Sequence, residues 1–225
     1  MTVAACLRSG TRADVVWLVK ADGLPVTDWS DAVVFTPGGG RIGSLADGVL
    51  DGRLADRAGR WSSVRLIDIE ISEIDALIAA LPVGGSARCL LAPADSLPPE
   101  LWDLAIAHQP ICLVCRVEGD EVVDISLYTT ETIDDAGETA QGLFATGVSG
   151  STMVDDRVVS VFRAMPQMIL VGETPVAGAL AGLAALVGWN TRIVTSVSEA
   201  TGVIATLSGL DKVVVTGHDL ELTGS

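Results

Sequence analysis

Residues 168–194 read MILVGETPVAGALAGLAALVGWNTRIV. An apolar run ends at Gly172, a short turn carries Glu173, Thr174 and Pro175, a small-residue segment of helical length follows, and a second strand-like run closes the stretch. This is the pattern of a βαβ unit, whose parallel strands need a crossover helix. A dinucleotide-binding unit of this kind needs three glycines: one for the tight turn, one for backbone approach to the pyrophosphate and one for close packing of helix on strand. Only Gly172 stands in register, with Ala177 at the third place. Thr174 puts a β-branched side chain where the pyrophosphate would approach, and Pro175 removes an N–H donor. Glu173 adds a charge whose repulsion of a phosphate about 5 Å away is roughly 3 kcal/mol at an effective dielectric near 20. The acid that would clamp a ribose is missing, its place being held by Val194, Thr195 and Ser196. By contrast, Thr174 as N-cap with Pro175 at the first helical position is an ordinary helix start. The stretch therefore reads as scaffold, and NAD(P) is not expected as a cofactor. Val176, Leu180, Leu183 and Val187 share one helix face while Gly178, Ala181, Gly182 and Ala185 lie elsewhere. Such a helix can meet both a parallel sheet and a second subunit, so a homodimer is expected.

Outward from this unit, β-branched runs alternate with helical-period segments. DVVWLVK, AVVFT, VRLIDIEI and ARCLLAP read as strands, and helices are expected over 44–58, 72–81 and 99–108. ICLVCRVEG and EVVDISLYT follow, with Glu118, Gly119 and Asp120 as a hairpin turn and a second turn at Asp155 and Asp156. The threonine-rich stretch between them is the least patterned part of the chain. The expected architecture is α/β: an N-terminal α/β domain with a mixed sheet over 1–117, connecting strands and a loop over 118–165, and a shortened Rossmann-like domain over 166–225.

The chain has 225 residues, 49% of them hydrophobic, which is ample for a core. Its 29 acids against 14 bases leave a net charge of -15, which repels phosphate backbones and anionic lipid, so neither nucleic acid nor membrane is an expected partner. MTVAACLRSGTR has no apolar leader core, and the run over 176–189 is shorter than the roughly 18 residues a spanning helix needs. A cytoplasmic location is expected. Four cysteines meet only two histidines, a poor supply for a zinc site. Cys112 and Cys115 form a C-x-x-C, but inside a strand an i,i+3 pair points to opposite faces, so buried inert thiols are expected.

GGGRIGSLADGVLDG resembles the G-S-x-x-x-G-C-x-E signature of the XdhC/CoxI family, accessory proteins of molybdenum hydroxylases such as xanthine dehydrogenase and carbon monoxide dehydrogenase. Gly43, Ser44, Gly48 and Asp51 fall on it. LPVGGSARCLLAP is similar to the family's C-G-G-x-x-x-V-x-x-E-P through Gly84, Gly85 and Pro93. The βαβ stretch resembles its C-terminal G-A-G-H-V-A through Gly172, Val176 and Ala177, and DKVVVTGHD its later H-D through His218 and Asp219. The family's cysteines are replaced by Val49 and Val83, and its middle glycine and histidine by Thr174 and Pro175. The resemblance implies a protein that binds molybdenum cofactor (molybdopterin) or docks on a hydroxylase apo-enzyme. An isopropyl group offers no lone pair, so Val49 and Val83 cannot ligate molybdenum or carry a persulfide. Other readings are a degenerate partner of a full-length relative and an NAD(P)-binding oxidoreductase.

Glycines 38, 39 and 40, then Gly43 and Ser44, precede an expected helix and can line an N–H concavity for an anion such as a pterin phosphate. The plainer reading is a glycine turn with Ser44 as N-cap and Asp47 in the first helical turn. Candidate cofactor-binding residues are thus Gly39, Gly40, Gly43, Ser44, Gly48 and Asp51, then Gly84 and Gly85, then Gly172, His218 and Asp219. His218 and Asp219 follow a strand at the carboxyl edge of a sheet, where open α/β folds place ligands. His108, before Pro110, reads as a partner of a helix C-terminus.

Overall fold

The computed structural model describes residues 2–24, 26, 29, 31–78, 84–163, 167–186, 189–205, 207 and 211–217. The chain divides into two units, Met1–Arg163 and Ala164–Ser225.

The first unit is built on strands with two apolar faces. In β1 (Asp14–Asp22) Val15, Trp17 and Val19 enter one core layer and Val16 and Leu18 another, as the two-residue period of a strand dictates. β6 (Ile111–Glu118) does the same, with Leu113 and Cys115 on one side and Cys112 and Val114 on the other. The C-x-x-C pair therefore faces two different layers. β2 (Ala32–Thr36), β3 (Gly40–Ile42), β4 (Arg65–Ile71), β5 (Gly85–Pro93), β7 (Glu121–Tyr128), β8 (Gly150–Val154) and β9 (Arg157–Phe162) complete a sheet in the order β3-β2-β1-β5-β4-β7-β6-β9-β8. Every described pairing in it is antiparallel. The molecule is α/β, but parallel pairing is confined to the second unit. The physical reason is connection length: tight turns at Gly119–Asp120 and Asp155–Asp156 join antiparallel neighbours, whereas parallel neighbours need long crossovers. β7, β8 and β9, from the stretch expected to hold connecting strands, belong to this same sheet.

β9 stands five places from β1 in that order, about 24 Å away in a flat sheet at 4.8 Å per strand. Yet the Trp17 indole N–H donates to Ser160 Oγ at 3.0 Å, and the Trp17 ring meets Phe162 edge-on with centroids 5.6 Å apart. The sheet therefore curls around the layer that holds Trp17, Leu90, Leu113 and Val158. A second layer lies between the β1, β2, β4 and β5 face and the residues Leu45, Leu50 and Leu54, the last in α2 (Asp51–Ala55), with Ala76 of α3 (Glu73–Ile78). A third forms where Ala140 and Phe144 of α5 (Glu138–Ala145) cover Cys112, Val159 and Val161. α1 (Thr2–Arg8) and α4 (Glu100–Ile106) complete the unit. α4 ends in a Schellman turn: Gln109 N–H donates to Leu104 O at 2.9 Å, and His108 takes the left-handed place usually given to glycine, with φ +56°.

The second unit is β10 (Gln167–Val171), α6 (Pro175–Leu186), β11 (Asn190–Val194), α7 (Val197–Ile204) and β12 (Lys212–Val215), with parallel strands in the order β11-β10-β12. Thr174 Oγ1 accepts from Ala177 N–H at 3.2 Å, so the helix starts as its sequence dictates. Ser196 caps α7 in the same way through Glu199 N–H. α6 buries Ala177 and Ala184 and leaves Val176, Leu183 and Leu186 exposed. Its small side, not its aliphatic side, is the buried one, because alanine lets a helix axis approach closely. Val187 lies outside the described residues.

Candidate functional site: a cleft between two arginine–aspartate pairs

Phe35 on β2 pairs with Arg41 on β3 and with Asp14 on β1. Directly opposed residues project to one face of a sheet, so Arg41, Phe35 and Asp14 form a row across three strands. The segment from α2 to Gly59 lies over that row. Asp51 Oδ2 approaches Arg41 Nη1 at 2.8 Å, and Gly59 N–H donates to Asp14 Oδ2 at 3.0 Å. A cleft of about 720 Å³ opens between the two anchor points, bordered by the Pro37–Gly38–Gly39 turn and by Gly52, Ala55 and Ala58.

Each part has a local cause. Thr36, Pro37, Gly38 and Gly39 form a β-turn closed by Gly39 N–H to Thr36 O at 3.3 Å. Proline at the second position and φ +87° at Gly38 are the type II combination. Of the plainer reading of the glycine run, the turn is observed, but Ser44 as N-cap and Asp47 in a first helical turn are not. The expected helix over 44–58 is not continuous: Ala46, Asp47 and Gly48 all have left-handed φ (50°, 54° and 86°), and only Asp51–Ala55 is α-helical. Ser44 is exposed and caps nothing. Asp51 does the holding instead, its Oδ1 accepting from Leu45 N–H at 3.0 Å. Leu45, Leu50 and Leu54 are fully buried around it, which pins a backbone that a free chain would avoid.

At the other end of the row, Asp14 accepts from Arg12 Nη2 at 2.8 Å and Nε at 3.1 Å. The hydrogen bond to Asp14 raises the Arg12 guanidinium above its ordinary pKa against the opposing effect of burial. Arg12 also donates to the Trp61 carbonyl oxygen. In both pairs the carboxylate is inside and the guanidinium outside: the side chains of Asp14 and Asp51 are 5% and 1% exposed, those of Arg12 and Arg41 37% and 50%. The pairs are thus oriented, positive ends toward the cleft. Asp51 Oδ2, though close to Arg41, makes no aligned hydrogen bond, so Arg41 is held by charge rather than by a closed fork.

Of the residues singled out in the sequence, the structure brings Gly39, Gly40 and Asp51 to the cleft. Gly43, Ser44 and Gly48 lie in the connecting turn, where a side chain on Gly43 would run into the Ala32 carbonyl oxygen. Gly84 and Gly85 are elsewhere. A Cβ on Gly84 would lie 2.6 Å from Ile71 O, and one on Gly85 2.6 Å from Asp22 O, so both serve close backbone packing. Asp22 is at the far end of β1, about 26 Å from Asp14 along the strand. Gly172 belongs to the second unit, with φ +104°, and its surroundings are filled: a Cβ would lie 2.9 Å from Gly217 N, and Thr216 Oγ1 donates to Gly172 O at 2.9 Å. Backbone occupies the room that a side chain at Gly172 would need. Val83, His218 and Asp219 lie outside the described residues.

Arg12, Asp14 and Arg41 were not singled out by sequence reasoning. The available signal was an Arg-x-Asp at the mouth of an apolar strand, since an acid leading straight into DVVWLV is placed for burial and needs a partner. Burial pushes the thiols of Cys89 and Cys115 up to about 12 and that of Cys112 to about 11, so none of the three offers a thiolate near neutral pH. Among the described residues no cluster of three or more His, Cys, Asp or Glu side chains is placed to hold a metal ion, and no helix is long and apolar enough to cross a membrane.

No family model matches the chain, and no curated protein matches it. A solved structure from Bacillus halodurans, titled as a xanthine dehydrogenase, is similar in fold, with a TM-score of 0.54 at 15% identity over 95% of this chain and 67% of that one.

Proposed function

We propose that this chain serves the maturation of a molybdenum hydroxylase, holding molybdenum cofactor or docking on the apo-enzyme. The observation that carries the reading is the fold similarity, over nearly the whole chain, to a protein whose title names a xanthine dehydrogenase. The resemblance of residues 38–51 to an accessory-family signature adds to it, because that segment borders the cleft. The cleft is where such a cofactor would be held. It does not suit the metal end as a thiolate ligand: Val49 stands where the family has cysteine, and the buried thiols are protonated. The role is therefore storage or docking rather than sulfur transfer, in the cytoplasm and as a homodimer. The test is cofactor content. The protein is purified without oxygen from a host that makes molybdenum cofactor, and pterin is measured by oxidative fluorescence and molybdenum by mass spectrometry. Near-stoichiometric pterin is the expected result; folded protein without pterin overturns the carrier role. The second reading, a cofactor-free partner of a full-length relative, is favoured by Val49. A stable complex with such a relative, free of pterin, is its signature.

A further inference from the structure

The chain carries a net charge of -15, so its surface should on average repel anions. The cleft over Phe35 departs from that average. Its lining includes two guanidiniums, Arg12 and Arg41, and among the described residues the carboxylates lining it are those of Asp14 and Asp51, each buried and paired with its arginine. An oriented pair is not electrically silent to a group in front of it: with the guanidinium exposed and the carboxylate buried, the attraction of an anion to the nearer charge exceeds its repulsion by the farther one. Two such pairs, one at each end of a three-strand row about 10 Å wide, aim their positive ends at one space. The remaining walls are small: Gly38 and Gly39 have nothing within 4 Å of where a side chain would begin, and Gly52 and Ala55 face the opening from α2. Arg41, held to Asp51 by charge without an aligned hydrogen bond, keeps donors for an incoming oxygen.

We infer that this cleft binds a phosphate monoester, its dianion gripped by Arg12 and Arg41, with Asp14 and Asp51 acting as positioning residues that hold the two guanidiniums apart and pointing outward. The inference deepens the maturation reading by naming the part of a ligand that the cleft grips, and it rests on that reading only for what the rest of the ligand is. Two guanidiniums match a tetrahedral dianion better than a carboxylate, which one arginine fork would satisfy.

The test avoids breaking the buried pairs. Ala55 is exposed on α2 and lines the cleft, so Ala55→Glu adds a carboxylate at the mouth without touching either ion pair, and Ala55→Gln is its neutral control. The full chain is titrated by calorimetry with inorganic phosphate, with adenosine monophosphate and with a pterin phosphate monoester, and melting curves confirm that each variant is folded. The expected result is saturable binding that Ala55→Glu weakens about ten-fold and Ala55→Gln leaves within about two-fold. Arg41→Lys, which keeps a charge opposite Asp51 but loses the planar fork, should weaken it about three- to ten-fold. Tighter binding of the pterin ester than of the nucleotide assigns the ester to a pterin, and the reverse order to a nucleotide; both support the site. No saturable binding of any of the three up to about 10 mM, or binding that Ala55→Glu leaves intact, overturns it. Phosphate binding by a protein that purifies without pterin leaves this site standing while the carrier role falls.

Discussion

Cys89, Cys112 and Cys115 lie in three different apolar layers, and burial raises all three thiols, two of them to about 12. Cys6, on α1, is half-buried. At pH 8 a thiol reagent should modify one cysteine rapidly in the folded protein and the other three only after denaturant is added. The same shifts carry a pH dependence. An unfolded chain releases these protons near 9, whereas the fold keeps them until about 11 to 12, so stability should fall as pH rises through that window. Denaturation midpoints at pH 8, 9 and 10.5 should decrease in that order. Glycines separate into two kinds at this scale. Gly38 has a left-handed φ but open space around it, whereas Gly172 has both a left-handed φ and a backbone neighbour within 3 Å of any Cβ. Gly172→Ala should therefore cost about 1–3 kcal/mol in urea unfolding of the second unit, and Gly38→Ala less. An equal loss at both positions would contradict the packing described at Gly172.

The element that departs most from local expectation is the turn Ala46–Gly48. Helical periodicity over 44–58 is real in the sequence, since Leu50 and Leu54 are spaced for one face, and those residues are buried in the same layer. Periodicity does not reveal that the chain first turns left-handed, because the cause is one side-chain bond and one tertiary contact: Asp51 Oδ1 takes the Leu45 N–H, and the layer that holds Val33 and Phe35 of β2 takes Leu45 itself. Two non-glycine residues in this conformation cost about 1–2 kcal/mol each. Asp47 is exposed and makes none of these contacts, so Asp47→Gly should stabilise the protein by about 1 kcal/mol, read as a higher urea midpoint. No gain would mean that the Asp47 side chain contributes something that offsets its strain. α6 shows the opposite relation between sequence and structure. Thr174 and Pro175 announce its start, and the Thr174 cap is present as written, because a cap depends only on residues within one turn.

Across the whole molecule, the first unit depends on a sheet that curls until β9 meets β1. Ser160 joins the two through Trp17 Nε1 and also lies 2.9 Å from Ser151 Oγ on β8. Ser160→Ala would leave the Trp17 N–H buried without an acceptor and should cost about 1–3 kcal/mol, with a change in the Trp17 contribution to fluorescence. A neutral substitution would mean that the apolar layer alone closes the curl.

Local patterning was enough to determine the longer strands, though not β3, together with the hairpin turns at Gly119–Asp120 and Asp155–Asp156 and the capped start of α6. Each of these rests on neighbours within a few residues, where propensity, capping and turn chemistry act. α1 and α5 escaped notice because they are short, and α5 sits in a polar stretch whose one-sided apolar content is slight. Only the tertiary structure decided that the large sheet is antiparallel and curled, that Gly84 and Gly85 lie far along β1 from the glycine turn, and that the cleft belongs to Arg12, Asp14, Arg41 and Asp51. Asp14 and Arg41 are twenty-seven positions apart in the chain and meet across Phe35 through strand register. Register is a property of paired backbones and of the core they close on, so no reading of either residue in its own neighbourhood can supply it.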